Sequence, residues 1–155
     1  MSQLSVSSFL DRFHAAFQEG DPLAAQKHME AANVRRLQEM YCGIARGDFQ
    51  AFIDALTHDV ELEIVGGPGI PFTGRWKGRD VVVSATRENF SQIEESRPVI
   101  QSIVAQGDSV VLCCREQGRY RATRQPYDVH WVLIATFRDG QIVRARELCA
   151  VTTEQ

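Results

Sequence analysis

Glu147 stands in "QIVRARELCAV", residues 141–151, a stretch whose alternate residues would fall on opposite faces of a strand. The segment Tyr127 to Phe137 reads as its hairpin partner across "FRDGQ". A three-residue loop with Gly140 left-handed pairs Phe137 with Gln141, and so Trp131 with Glu147 and Leu133 with Ala145. One face then carries Trp131, Leu133, Ala135, Val143, Ala145, Glu147 and Cys149, with Glu147 its lone carboxylate. Burial among such neighbours disfavours the charged form and raises the pKa, which suits a general acid or base. The plainer readings are a salt bridge or exposure at a strand end. A two-residue Asp139-Gly140 turn would shift the register and put His130 beside Glu147 instead.

Other residues could join that chemistry. Alternation of Val111, Cys113 and Arg115 puts Arg115 on the same side, to hold an anionic or carbonyl ligand or to pair with Glu147. Tyr41 shares the stripe of Leu37, Met40 and Ile44, so its hydroxyl is either an inward hydrogen-bond donor or a satisfied core group. His130 falls on the opposite face, and His14, His28 and His58 read as solvated. Glu61 and Glu63 are spaced i, i+2 on an outward face, a solvated pair rather than an acid–base dyad.

The segment "PFTGRWKGRD", residues 71–80, is basic and glycine-rich like a phosphate loop. Pro68 and Pro71 remove backbone donors, however, and neither G-x-G-x-x-G nor Gly-Lys-Ser/Thr is present. It reads as a scaffold element in which Phe72 and Trp76 cover apolar surface at a pocket edge, with Arg75, Lys77 and Arg79 in solvent. The cysteines, Cys42, Cys113, Cys114 and Cys149, lack the close paired spacing of a zinc site and read as reduced and buried. No metal or nucleotide cofactor is expected.

Length and charge bound the rest. At 155 residues the chain is expected to fold around a single core. Seventeen basic against 20 acidic residues, net -3, give no overall drive toward nucleic acid or an anionic membrane. No apolar run is long enough to span a bilayer, and the first residues lack a secretion-signal pattern, so a cytoplasmic location is expected.

The positioning elements follow from periodicity. Phe9, Leu10, Phe13 and Phe17 mark a first helix stopped at Gly20-Asp21-Pro22. Leu37 to Ile44 mark a second, and Phe49 to Leu56 a short third after Gly47-Asp48. "VELEIV" then alternates Val60, Leu62 and Ile64 against its glutamates as a half-buried strand. A loop from Gly66 to Gly74 leads to a helix over Asp80 to Glu95 with Asp80 as N-cap. Four strands follow, over Pro98–Ala105, Ser109–Arg119, Tyr127–Phe137 and Gln141–Val151. The order predicts an α+β fold with the helices on one side of the sheet.

Four pieces in this order, "EMYCGIARGDFQAFIDALTHDVELEI", "PFTGRWKGRD", "QGDSVVLCCRE" and "ATFRDGQIVRARE", resemble the nuclear transport factor 2-like superfamily, in its SnoaL-like and ketosteroid-isomerase-like branch. The match covers roughly Val34 to Val151, leaving residues 1–33 as an N-terminal helical extension to a SnoaL-like domain over 34–155. The resemblance implies a cone-shaped, curved mixed sheet wrapped around three helices (a cystatin-like roll), open at one end. It also implies a pocket for a small apolar molecule lined by Leu62, Ile64, Trp131, Leu133 and Cys149, with Arg115, Phe72 and Trp76 as further contacts. Glu147 and Tyr41 would be its catalytic pair.

Isomerases, cyclases, dehydratases and non-catalytic modules share this fold, so fold does not select among them. The isomerases' two acidic positions are here Ile64 and Leu133, their helix tyrosine aligns near Met40, and the dehydratases' helix aspartate is Gly43. A proton-transfer activity would therefore need a relocated base. A homodimer is expected through the second sheet face, with Val132, Ile134, Ile142 and Leu148.

Overall fold

The computed structural model describes residues 22–152, so the helix predicted over Phe9 to Phe17, and His14 with it, lies outside the described residues. Helix α1 is Pro22–Ala45 and runs through residue 33 without a break. Proline suits its first position, where the absent N–H would have had no partner. The helix closes as Gly47 donates its N–H to the Ile44 carbonyl and Asp48 to that of Gly43, both at 2.9 Å. The Asp48 carboxylate then accepts the Gln50 N–H at 2.9 Å and opens α2, Gln50–Ala55. One Gly-Asp pair thus ends a helix and begins the next.

Strand β1 is Leu56–Gly66, and β2, Gly74–Lys77, pairs antiparallel to it along the basic segment. This strand was not foreseen. Its register sets Arg75 opposite Glu63 and Lys77 opposite Glu61, with ion pairs at 2.7 and 3.0 Å, and Arg146 reaches the second Glu63 oxygen at 3.0 Å. The glutamates predicted to be merely solvated thus pair with the basic segment across the β1–β2 ladder. Helix α3, Arg79–Ser91, starts after Gly78, which makes the N-cap with φ 92°. Asp80 lies in the first turn and favours the helix through its dipole, not as the cap.

The remaining strands are β3, Ile93–Gln106, β4, Ser109–Tyr120, β5, Pro126–Arg138, and β6, Gln141–Val151. The six strands lie in the order β2-β1-β6-β5-β4-β3, with β1 and β6 parallel and every other pair antiparallel. The sheet is curved, and the three helices pack into its hollow as in the cone expected. Leu37, Met40 and Ile44 of α1, Phe52 of α2 and Val82 of α3 are buried against Val60, Leu112, Leu133, Phe137 and Ile142 of the sheet. No described helix is long and apolar enough to cross a membrane.

The β5–β6 turn differs from the three-residue loop expected. Arg138 pairs with Gln141, and Asp139 and Gly140 both take positive φ, 52° and 76°, as a two-residue primed turn requires. That turn alone would move Glu147 to the His130 face. A bulge reverses it: Phe137 pairs with Ile142 but Thr136 with Arg144, so Val143 is an extra residue on β6. Glu147 therefore lies opposite Leu133, and Trp131 opposite Cys149. Ile142, expected on the outer face, is turned into the core by the same bulge and is 1% exposed.

Candidate functional site

Curvature leaves a cavity of about 160 Å³ between the inner sheet face and the helices. One water needs only about 10–15 Å³ by such a measure, so this space admits a small organic molecule. Register orders the inner sheet face in rows. Ile64, Glu147, Leu133 and Leu112 form one row across β1, β6, β5 and β4, and Cys149, Trp131 and Cys114 form the next. Met40, Tyr41 and Ile44 of α1 close one side, and Phe72 and Phe90 stand with Tyr120 and Tyr127 on the other.

Leu62, Ile64, Phe72, Trp131, Leu133, Cys149, Tyr41 and Glu147, all named from sequence, are brought together in the cavity wall. Two others are not. Arg115 lies on the outer face, where its Nε and Nη2 meet both Asp128 oxygens at 3.0 and 2.6 Å, and it cannot reach a ligand in the cavity. This bidentate contact, with further hydrogen bonds from Gln117 and Thr152, holds the Asp128 carboxyl well below the usual range. Trp76 packs beside Gly74 at the sheet's edge, half-buried on the core and outside the cavity wall. His130 is exposed.

Arg115 was misplaced because Val110 to Cys114 is apolar at every position and so carries no alternation. The buried set is the even one, Val110, Leu112 and Cys114, and it continues into Glu116. Glu116 is the charged residue of the cavity wall that sequence reasoning missed. Its Oε1 accepts the Tyr127 hydroxyl at 2.7 Å and the Ser96 hydroxyl at 2.8 Å, and its Oε2 accepts the Trp131 indole N–H at 3.0 Å. Gly118 allows this arrangement: a β-carbon there would meet the Tyr127 hydroxyl at 2.5 Å, so glycine lets the ring cross β4 to Glu116.

Glu147 is a different kind of carboxyl. Its hydrogen bond is from the Cys149 thiol, at 3.3 Å. Burial raises its pKa to about 6, the thiol opposes the shift, and the charge of Glu116 adds to it. The Tyr41 hydroxyl has no protein hydrogen-bond partner among the described residues, and its ring centroid lies 5.9 Å from that of Trp131. Burial, then Glu147, pushes its pKa well above the phenolic range, so it keeps its proton as a donor. Among the described residues no three His, Cys, Asp or Glu side chains converge as a metal site.

The shift at Glu147 makes a prediction about stability. Its pKa is raised in the folded state, from 4.5 to about 6, so its favourable contribution is complete below the unfolded value and lost as pH climbs through 6. The loss is about 2 kcal/mol at about 1.4 kcal/mol per unit. Chemical denaturation at several pH values should show wild type losing that much relative to Glu147→Gln between about pH 4 and pH 7. A pH-independent difference would place Glu147 in solvent.

At Gly43, where the resembling dehydratases carry aspartate, a β-carbon would approach the Asp48 carbonyl oxygen to 2.8 Å. An acidic side chain cannot be seated there without moving the α1–α2 turn.

Comparison with known proteins agrees with this architecture. The model of the SnoaL-like domain matches residues 37–145. No curated protein matches the chain. An NTF2-like protein from Burkholderia xenovorans superposes with a TM-score of 0.66 at 22% identity, over 77% of this chain and 90% of that one. A putative SnoaL-like polyketide cyclase from Jannaschia superposes with 0.68 at 17% identity, over 78% and 87%. TerC, co-crystallized with polyporic acid, superposes with 0.64 at 20% identity, over 75% and 89%. At these identities the likeness is one of fold.

Proposed function

The chain belongs to the SnoaL-like domain family, and from that premise we propose that it performs cofactor-independent proton transfer on a small, largely apolar, carbonyl-containing molecule. The observation that carries this reading is Glu147: a carboxyl with a pKa of about 6 in an apolar cavity beside a tyrosine that keeps its proton. Near neutral pH Glu147 is mostly ionised yet weakly solvated, the state a general base needs. It takes a proton from the carbon next to the carbonyl. The C–H bond breaks, the electron pair moves onto the carbonyl oxygen, and the Tyr41 hydroxyl donates a hydrogen bond to that oxygen. Glu147 then returns the proton. Delivery to another carbon of a conjugated ligand, as the electron pair flows back from the oxygen, completes an isomerisation. Delivery to the oxygen of a second carbonyl that the carbanion has attacked completes a ring closure.

Deuterium uptake at the α-carbon of phenylacetone in D2O, followed by proton NMR, tests the reaction class without the natural substrate. Uptake above the buffer rate that disappears in Glu147→Gln is expected. Binding of phenylacetone, seen as a change in Trp131 fluorescence, with no uptake above buffer would assign the cavity to a non-catalytic binding module.

The outer sheet face supports a homodimer. Val65, Leu148, Val132 and Cys113 run across β1, β6, β5 and β4 as one row, and Val99 and Val104 of β3 extend the apolar surface at 61% and 60% exposure. Light scattering at micromolar concentration is expected to give twice the chain mass, reduced to one chain in Leu148→Glu. A monomer mass for the unmodified chain would remove this face as an interface.

A further inference from the structure

The chemistry of the cavity wall contains an asymmetry that the proton-transfer reading leaves unused. Among the described residues, two carboxyl groups, Glu116 and Glu147, face the space, and no lysine, arginine or histidine does. The basic side chains near it are engaged elsewhere: Arg115 with Asp128, Arg119 with Glu95, and Arg121 with Glu94 and the Ser91 carbonyl at the end of α3. Glu116 accepts all three of its hydrogen bonds, from Tyr127, Ser96 and Trp131, as a carboxylate does. Two of these bonds fall on Oε1 and one on Oε2, so Oε2 keeps acceptor capacity. The same cavity wall is rich in aromatic rings, among them those of Tyr41, Phe72, Phe90, Tyr120, Tyr127 and Trp131.

We propose that this cavity selects an organic cation, an aromatic-sized molecule carrying a protonated amine, and that Glu116 is the specificity-determining residue that reads the ammonium group. Aromatic faces attract a cation through their quadrupoles, and the attraction grows when water is excluded. A fixed carboxylate in the same low-dielectric space adds to it and repels an anionic ligand. The titrating neighbours agree: Glu147, Tyr41, Tyr127, Cys114 and Cys149 are all shifted toward their protonated forms, by burial first and by carboxylate charge besides.

This inference rests on the proton-transfer reading for its role in catalysis. Removing a proton next to a carbonyl builds negative charge on the ligand, and among the described residues the wall supplies Tyr41 but no cation to receive it. An ammonium carried by the ligand itself offsets that charge, whereas an acidic ligand would place a second anion beside Glu116 and Glu147.

Benzylammonium, benzyl alcohol and benzoate share size and shape and differ in charge, so their binding by calorimetry or Trp131 fluorescence tests the proposal. The unmodified protein is expected to bind benzylammonium about tenfold more tightly than benzyl alcohol, and benzoate more weakly than either. In Glu147→Gln, where Glu116 is the remaining cavity carboxylate, the order should persist. In Glu116→Gln, with folding checked by circular dichroism, it should fall to within about threefold.

Equal binding of amine and alcohol, tighter binding of benzoate, or loss of the order in Glu147→Gln would overturn the inference. The Glu147→Gln arm decides even if Glu116→Gln does not fold. Failure through equal affinities leaves proton transfer intact, because deuterium uptake by phenylacetone is measured without any cationic group. Absence of binding by all three probes and by phenylacetone would remove both.

Discussion

Glu147→Gln is expected to lower the rate of proton exchange or turnover by about 10²–10⁴-fold, the usual contribution of a positioned acid or base. Glutamine keeps the length and shape of the side chain and can still accept the Cys149 thiol, which lies 3.3 Å from Oε1. The change removes the proton acceptor and little else. Ligand affinity should stay within about threefold, so the loss falls on kcat. The variant should also be more stable than wild type near neutral pH, where wild type must hold a buried anion. A rate loss of less than about tenfold would mean that another group takes the proton.

Trp131→Ala carries the largest expected cost in stability, about 3–5 kcal/mol, in the range for removing a large buried aromatic. Trp131 is 8% exposed and lies between Cys114 and Cys149 in its row, against Tyr41. Its indole N–H also satisfies Glu116 Oε2 at 3.0 Å. Alanine would open the cavity and leave that oxygen with one partner fewer. Trp131→Phe keeps most of the packing and loses the hydrogen bond, so it should cost about 1–3 kcal/mol. Equilibrium denaturation separates the two. Equal costs would mean that the hydrogen bond, not the packed ring, holds this part of the wall.

How much of this was legible in the sequence varied with the signal. The fold followed from periodicity and from the order of the motifs, because "VELEIV" alternates cleanly, whereas the pairing of its glutamates with β2 did not show in that pattern. The face of Glu147 came out as expected only because two departures from the expected hairpin cancel. The turn is two residues long, not three, and the bulge at Val143 restores the side on which Glu147 lies. Nothing local in the sequence marks that bulge, since Ile142 and Val143 are both apolar and either could face the core. Arg115 and Glu116 are adjacent and both charged after an unbroken apolar run, so parity could not choose between them. What decides is tertiary: Asp128 waits for Arg115 on the outer face, and the Tyr127 and Trp131 donors meet Glu116 on the inner one.

The same rows give the position of the proposed base. In the resembling isomerases the acidic positions are those of Ile64 and Leu133 here, and both are apolar. Register sets Glu147 directly between them, paired with Ile64 on one side and Leu133 on the other. A carboxyl on the central strand of that row reaches the space that acids on its neighbours would share. It does so with apolar residues on either side, which is why its charged form is disfavoured.

The weak solvation of the Glu147 carboxyl in its apolar cavity can be read from one titration. Carbon-13 NMR of the glutamate side-chain carboxyls, with the Glu147 resonance assigned by its absence in Glu147→Gln, gives the pKa of that group directly. A midpoint of about 6, above the ordinary 4.5, is expected. A midpoint at or below 4.5 would contradict it, because the group would then be solvated or paired with a cation and could not serve as the poised base of this cavity.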